Sequence, residues 1–217
     1  MIDFSSLTDL VYEELKKRVI GKKFLQGEHI VEEKVAETLG ISRTTARRAI
    51  DRLVNDGLFV EKGRKGIYVN EITYDQMLEI YEIRAHLEGL ATAQTALRAT
   101  KRDVEKLRSL FDKVKINDDQ ENFEYMNADM NFHTEIVQLS GYDLIPAILS
   151  KYHLIISCFS QTIIRIPMLT YPEHMDILSA IEKKDSVLSR RLMEEHVLKS
   201  RSGLLAEKDK FVLSASN

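Results

Sequence analysis

The chain has 217 residues, about one and a half average domain lengths, so two unequal domains or one large domain are expected. Lysine and arginine number 31 against 34 aspartate and glutamate residues, which gives a net charge of −3 and no overall basic character. A single cysteine excludes an intrachain disulfide and a thiolate zinc cluster. Three prolines, nine glycines and 44% apolar residues favour a mainly helical globular protein. Taken alone, the charge argues against nucleic-acid binding, whereas six histidines leave metal binding open.

No targeting or membrane signal is visible. Residues 1–5 lack the basic region followed by an apolar run that is typical of a signal peptide. The most apolar stretch, residues 154–166, is interrupted by Gln161 and Arg165 and is too short to span a bilayer. We therefore expect a cytoplasmic protein with no membrane partner.

The first part of the chain predicts three helices and a β-hairpin. Apolar residues recur at helical spacing between residues 7 and 19. Two more helices are expected at about 31–39 and 43–55, the latter capped by Ser42. Two β-prone runs, at 58–60 and 67–69, flank a basic turn and predict the hairpin.

The second part predicts an antiparallel all-α bundle of six helices. Thr100 begins a capping box, Pro172 suits the first turn of the fifth helix, and Asp185 can cap the sixth. The expected helices are about 74–99, 101–116, 120–140, 143–165, 173–183 and 185–209. The predicted organisation is a first domain at 1–70, a linker at 71–73 and a helical domain at 74–217.

The second and third predicted helices have helix-turn-helix spacing. Ala36 allows the two helices to approach closely, and Gly40 permits a left-handed turn between them. Arg43 and Arg47 then lie on one face near the start of the second of these helices, the end that enters the major groove in such motifs. Residues 41–67 hold seven basic against three acidic residues, on that helix and the hairpin tip. For the arginines alone, a solvated helix face is the plain alternative.

From residue 27 to 69 the sequence resembles the winged helix-turn-helix of the GntR family of bacterial transcription regulators. The resemblance implies that Arg43 and Arg47 read bases, that Gly66 is the wing glycine near the minor groove, and that a homodimer binds a palindromic double-stranded DNA operator. The expected DNA contacts are Arg43, Thr44, Thr45, Arg47, Arg48, Arg64, Lys65 and Gly66. Arg48 replaces a common glutamate, so the operator sequence cannot be taken from relatives.

Four residues of the second part have spacing that suits a shared metal. Asp129 and His133 lie four residues apart on one predicted helix, so both side chains project from one face. His174 and His196 flank a predicted turn near Lys184, and at about 1.5 Å per residue they lie roughly 15 and 18 Å from it. Three imidazoles and one carboxylate suit zinc, nickel, manganese or iron(II). On spacing alone, it stays equally open that each histidine is a surface or hydrogen-bonded core residue.

Four segments of this second part resemble the FadR-type ligand-binding (FCD) domain in its six-helix, VanR-like branch. They are residues 81–88, 129–133, 173–181 and 193–196. Metal-binding members use one aspartate and three histidines, so the resemblance implies a divalent metal, zinc first, on the four residues just named. It also implies a small carboxylic-acid effector at that metal. Arg84 matches a family arginine that can grip a carboxylate, although an ion pair with Glu88 is the alternative. The expected effector contacts are Arg84, Tyr81, Asn131, Gln161 and Arg165.

These features predict a dimeric, metal-containing transcription regulator whose operator affinity responds to a small acid. One alternative is a metal-dependent hydrolase built on a helical bundle. The DNA-reading module and the lack of an evident catalytic base weigh against it, so no enzyme and no catalytic residue are expected. A regulator with a purely structural metal is a further alternative. His29, His86 and His153 match no ligand pattern and are expected at the surface or in the core.

Overall fold

The computed structural model describes residues 6–117, 123–159 and 165–206. By their contacts, the residues divide into two units. The N-terminal unit is Met1–Thr73 with Leu154–Ser160, and the C-terminal unit is Tyr74–His153 with Gln161–Asn217. In the described part of the chain, no helix combines the length and apolar character needed to cross a membrane.

The N-terminal unit contains the three helices and the hairpin predicted from the sequence. Its elements are α1 (Leu7–Ile20), β1 (His29–Ile30), α2 (Glu32–Leu39), α3 (Arg43–Asn55), β2 (Phe59–Glu61) and β3 (Ile67–Val69). The strands form an antiparallel sheet in the order β1-β3-β2, with Phe59 opposite Val69. Strand β1, which pairs His29 with Tyr68, was not predicted because two residues are too few to show a periodic pattern.

Helix α3 is amphipathic, and its buried side fixes its orientation. Ala46, Ala49, Ile50 and Leu53 are fully buried and recur at helical spacing. The Ser42 hydroxyl accepts a hydrogen bond from the Thr45 backbone N–H and so caps the helix, as predicted. Because these apolar residues face the core, the opposite side of α3 faces solvent.

The six predicted helices are present in the second part of the chain, and all but the end of one of them lie in the C-terminal unit. They are α4 (Tyr74–Arg98), α5 (Lys101–Ser109), α6 (Phe123–Leu139), α7 (Leu144–Phe159), α8 (Pro167–Glu182) and α9 (Ser186–Ala206). Helix α4 packs along α9, and α6 and α8 also contact α4. The capping box of Thr100 is present, and the Asp185 carboxylate accepts a hydrogen bond from the Leu188 N–H. The unit is therefore a helical bundle in which α4 contacts α6, α8 and α9.

Two helix boundaries differ from the sequence-based expectation. Helix α8 begins at Pro167, so Pro172 lies inside the helix and not in its first turn. Pro167 occupies the first helical turn, where its missing N–H costs no intrahelical hydrogen bond. Helix α5 ends at Ser109, because the next N–H groups bond to carbonyls three residues back in tighter turns. These turns carry Phe111 against the ring of His174, with the ring centroids 5.3 Å apart.

Candidate functional site

Three helices bring the predicted ligand residues together in the C-terminal unit. Asp129 and His133 lie on α6, His174 on α8 and His196 on α9, and one ligand atom from each falls within 4.8 Å of the others. The Nε2 atom of His196 lies 3.2 Å from the Nε2 atoms of both His133 and His174. The Oδ1 atom of Asp129 lies 3.2 Å from the Nε2 atom of His174. The four residues thus form a group that could hold a metal ion.

The group is buried on the imidazole side and open on the carboxylate side. His133, His174 and His196 are at most 4% exposed. The side chain of Asp129 is 31% exposed. Asp129 is therefore the one of the four residues whose side chain is partly exposed to solvent.

The Nδ1 atom of His133 is held by a buried carboxylate on α4. It lies 2.5 Å from Oε2 of Glu88, whose side chain is fully buried. The other oxygen of Glu88 accepts hydrogen bonds from Nε of Arg84 at 2.6 Å and from Nε2 of His153 at 3.0 Å. Three donors thus converge on one carboxylate behind His133.

A second carboxylate holds His196. The Nδ1 atom of His196 lies 2.8 Å from Oε2 of Glu173. Arg165 donates to both oxygens of Glu173, at 2.7 and 2.8 Å, and Lys199 donates to one of them at 2.8 Å. The two cations balance the charge of Glu173, which is free to accept the Nδ1–H of the imidazole.

A hydroxyl chain holds His174. Its Nδ1 atom lies 3.1 Å from the Tyr125 hydroxyl, which lies 2.7 Å from the Thr170 hydroxyl. Thr170 donates onward to the Ile166 carbonyl at 3.3 Å. With Thr170 donating to that carbonyl, Tyr125 donates to Thr170 and accepts from His174, so every proton in the chain has an acceptor.

These contacts put the ring proton of each ligand histidine on Nδ1 and leave a lone pair on Nε2. The Nε2 lone pair of His196 then faces those of His133 and His174 at 3.2 Å each, and such lone pairs cannot hydrogen-bond to each other. Metal–nitrogen bonds of about 2.0–2.1 Å in a tetrahedral site place nitrogens roughly 3.3 Å apart. The donor set and its spacing therefore fit a metal such as zinc, and the Nδ1 partners are the outer hydrogen bonds that ligating histidines typically make.

Burial and charge keep this group in the protonation states that ligands need. Burial lowers the pKa of His196 to about 3 and also lowers that of His174. Burial opposes ionisation of Asp129, but its interactions with His174, His133 and His196 hold its pKa below the usual range. Glu88 is likewise held ionised against burial, mainly by Arg84 and His133. Neutral imidazoles and an ionised carboxylate are the forms that bind metal.

The predicted effector residues occupy different places. Arg84 is buried, with its ion pair to Glu88 formed through Nε, and its guanidinium carbon lies 5.4 Å from the centre of the Tyr81 ring. Arg165 is engaged with Glu173 on both terminal nitrogens, so it supports His196. Asn131 is exposed, about 200° around α6 from Asp129. Gln161 lies outside the described residues.

The predicted DNA-contacting residues lie on the solvent side of α3 and at the hairpin tip. Arg43, Thr44, Arg47 and Arg48 are exposed, as are Arg64 and Lys65. Arg43 is 68% exposed and contacts Glu33 on α2 at 3.2 Å. Thr45 is half-buried, and its hydroxyl lies 2.8 Å from that of Ser42 in the helix cap.

Gly66 is required by the geometry of the hairpin. Its φ of 99° lies in the region that favours glycine. A Cβ atom built on it would lie 2.7 Å from Nε2 of His29, a residue of β1. A larger residue here would therefore strain the backbone and force the His29 ring to move.

Sequence reasoning missed the residues behind the ligands. Glu88, Tyr125, Glu173 and His153 each contact a proposed ligand histidine or its support. Of these only Glu88 was considered, as the alternative ion-pair partner of Arg84, and that pair is present. Two of them carried a signal in the sequence. Glu88 follows Arg84 by one helical turn, and Glu173 directly precedes a predicted ligand.

Comparisons with known proteins identify both parts of the chain. Residues 7–69 match the model of the bacterial regulatory proteins of the gntR family, and residues 79–199 match the FCD domain. The HTH-type transcriptional regulator YdhC of Bacillus subtilis (strain 168) is 28% identical over 199 residues, which cover 86% of this chain and 84% of that protein. The HTH-type transcriptional repressor RspR of Escherichia coli (strain K12) is 22% identical over 191 residues, with the same coverage.

A solved structure shares the fold. E. coli McbR/YncC superposes with a TM-score of 0.77 at 22% identity, covering 94% of this chain and 100% of that one. The FCD match alone spans more than half of the chain, and the relatives are transcription regulators and not enzymes. The protein therefore belongs to the GntR family and is a DNA-binding transcription regulator of the FCD type.

Proposed function

We propose that the C-terminal unit binds a divalent metal through Asp129, His133, His174 and His196, and that a small carboxylic acid bound there controls operator affinity. The observation that carries the proposal is the convergence of three Nε2 atoms beside one carboxylate, with that of His196 lying 3.2 Å from each of the other two. Nitrogen and oxygen donors of this kind favour zinc, with nickel, manganese or iron(II) as alternatives.

The charge of the site supports an anionic effector. Three neutral imidazoles and one carboxylate would leave a divalent ion with a net formal charge of +1, which attracts a carboxylate oxygen. Arg84 uses Nε for its contact with Glu88, and its two terminal nitrogens can grip a carboxylate in bidentate fashion. Tyr81, whose ring lies beside that guanidinium, is the second proposed effector contact.

We also propose that the protein acts in the cytoplasm as a homodimer on a palindromic operator. Two recognition helices related by a two-fold axis would reach half-sites about one helical turn apart. Arg43 and Arg47 are assigned to base edges. Arg48 on α3 and Arg64 and Lys65 at the hairpin tip are assigned to the DNA backbone.

A mobility-shift titration on the DNA upstream of the protein's own gene tests effector control. The titration uses zinc-loaded, chelated and reloaded full-length protein with a panel of small carboxylic acids. We expect one acid to change operator affinity at least about fivefold in the loaded protein, and His196→Ala to remove this response while DNA binding persists. A response that survives both chelation and His196→Ala would exclude metal-dependent control. A loss of melting temperature on chelation without any acid response would assign the metal a structural role.

Alanine variants test the assignment of the recognition helix. Arg43→Ala and Arg47→Ala should each weaken operator binding by about 1–3 kcal/mol and relax base preference. Arg191→Ala is the matched control, because Arg191 is 66% exposed but lies in the C-terminal unit. If both test variants keep the wild-type base preference, the recognition helix is assigned wrongly.

A further inference from the structure

The carboxylate of Glu88 links three helices inside the C-terminal unit. Glu88 lies on α4, and it accepts hydrogen bonds from His133 on α6 and from His153 on α7. Arg84 on α4 supplies the balancing positive charge at 2.6 Å. All four side chains are at most 7% exposed, so these bonds form in a water-poor interior where a missing partner is costly. An ion pair between Arg84 and Glu88 within α4 would not need the additional contacts of Glu88 to His133 and His153.

His153 is held on both ring nitrogens. Its Nε2 atom lies 3.0 Å from Glu88, and its Nδ1 atom lies 3.4 Å from the hydroxyl of Thr134, the residue after His133. A neutral imidazole satisfies both contacts by donating from Nε2 and accepting at Nδ1. One side chain of α7 is therefore bound both to the carboxylate behind a ligand histidine and to the neighbour of that histidine.

We infer that Glu88 and His153 are positioning residues through which metal loading orders helix α7. This inference rests on the proposed metal centre. A bound metal would fix the ring of His133, whose Nδ1–H fixes Glu88, which in turn fixes His153.

Apolar packing of α7 in this unit shows why such a link matters. Leu149 and the partly buried Ile145 pack against Ala91 on α4 and Val137 on α6. Apolar contacts of this kind are non-directional and leave the rotation of a helix weakly specified. Hydrogen bonds to a buried carboxylate require one orientation. Order imposed at His153 thus acts on the orientation of α7.

Three variants of the full-length protein separate the support of His133 by Glu88 from the link to α7 through His153. Glu88→Gln keeps the shape of the side chain, but its amide cannot accept from all three donors. His153→Leu removes the link to α7 and leaves the pair of Glu88 and His133. Glu79→Gln is the matched control, because Glu79 is an exposed glutamate on the same helix.

Two quantities are measured. The first is zinc affinity, from competition with a chelating dye, and the second is amide hydrogen exchange of peptides covering residues 144–153. In the wild type and Glu79→Gln, zinc should slow exchange in these peptides. Glu88→Gln should bind zinc about 10- to 100-fold more weakly and lose that protection. His153→Leu should keep zinc affinity within about tenfold of the wild type and still lose the protection, with circular dichroism confirming that both variants are folded.

Each contrary result has its own meaning. Unchanged zinc affinity in Glu88→Gln would overturn the positioning role of Glu88. Zinc-dependent protection of residues 144–153 that persists in His153→Leu would overturn the link to α7. Failure of the wild-type protein to bind zinc would instead overturn the metal centre of the proposed function, and this inference with it.

Discussion

Replacing Arg84 by methionine tests whether the buried carboxylate of Glu88 depends on its cation. The two side chains are 6% and 0% exposed, and Nε lies 2.6 Å from Oε1. Breaking such a buried pair leaves an uncompensated charge and costs about 3–5 kcal/mol, whereas exposed pairs contribute about 0–1 kcal/mol. Two imidazoles, of His133 and His153, still contact Glu88 in the variant. We therefore expect the free energy of unfolding to fall by about 3 kcal/mol, near the lower end of this range.

Thermal unfolding of the metal-free protein, followed by circular dichroism, measures this loss. For a chain of this length about 1 kcal/mol corresponds to about 2–4 °C, so Arg84→Met should lower Tm by roughly 6–12 °C. Arg190→Met is the matched control, because Arg190 also pairs through Nε with a glutamate four residues on, at 2.7 Å, but its side chain is 45% exposed. The double variant Arg84→Met/Glu88→Gln should recover most of the loss, since no buried charge remains. Equal Tm shifts for Arg84→Met and the control would refute the reasoning.

Three further outcomes are expected. Tyr125→Phe removes the acceptor of the His174 Nδ1 proton, so zinc affinity should fall about 10- to 100-fold with unchanged circular dichroism, and an unchanged affinity would contradict the proton assignment. Acidification below pH 6.5 should destabilise the metal-free protein, because burial lowers the pKa of His174 and His196 and the unfolded chain therefore binds more protons. Urea unfolding should show a loss of about 1 kcal/mol per histidine and pH unit, continuing for His196 towards its folded pKa of about 3, and a flat profile would argue against this account. Gly66→Ala should strain the wing backbone by about 1–2 kcal/mol because of its positive φ, and should weaken operator binding in a mobility-shift assay. Wild-type affinity would show that the wing tolerates the change.

The fold was largely predictable because its signals are local. Ser42 and Thr100 cap helices through hydrogen bonds to residues three positions on, so the pattern lies within one turn of sequence. Strand β1 has no such signal, since His29 pairs with Tyr68 far along the chain. Pro172 was misplaced because a proline inside a helix and one in the first turn look alike until Pro167 is known to start α8.

The proposed ligand set was visible in part from the sequence, and the side chains that support it were not. Asp129 and His133 share a helix face by spacing alone, which is a local property. The contact between Glu88 and His133 spans 45 residues, and the contact between Glu88 and His153 spans 65. Such contacts depend on how the helices pack, and no periodicity in the sequence encodes which buried carboxylate faces which imidazole.

The support residues also show what distinguishes a regulatory metal from a structural one. Each ligand histidine is backed by a group on a different helix: Glu88 on α4, Tyr125 on α6 and Glu173 on α8. A bound ion would therefore stabilise the whole bundle in either case, and a rise in Tm with zinc does not separate the two roles. Asp129 does separate them, because it is the ligand that reaches solvent and the one at which an incoming acid would alter coordination without breaking an outer hydrogen bond of an imidazole. The decisive comparison is therefore operator affinity with and without acid at saturating zinc, where stability is constant and only coordination on the Asp129 side changes.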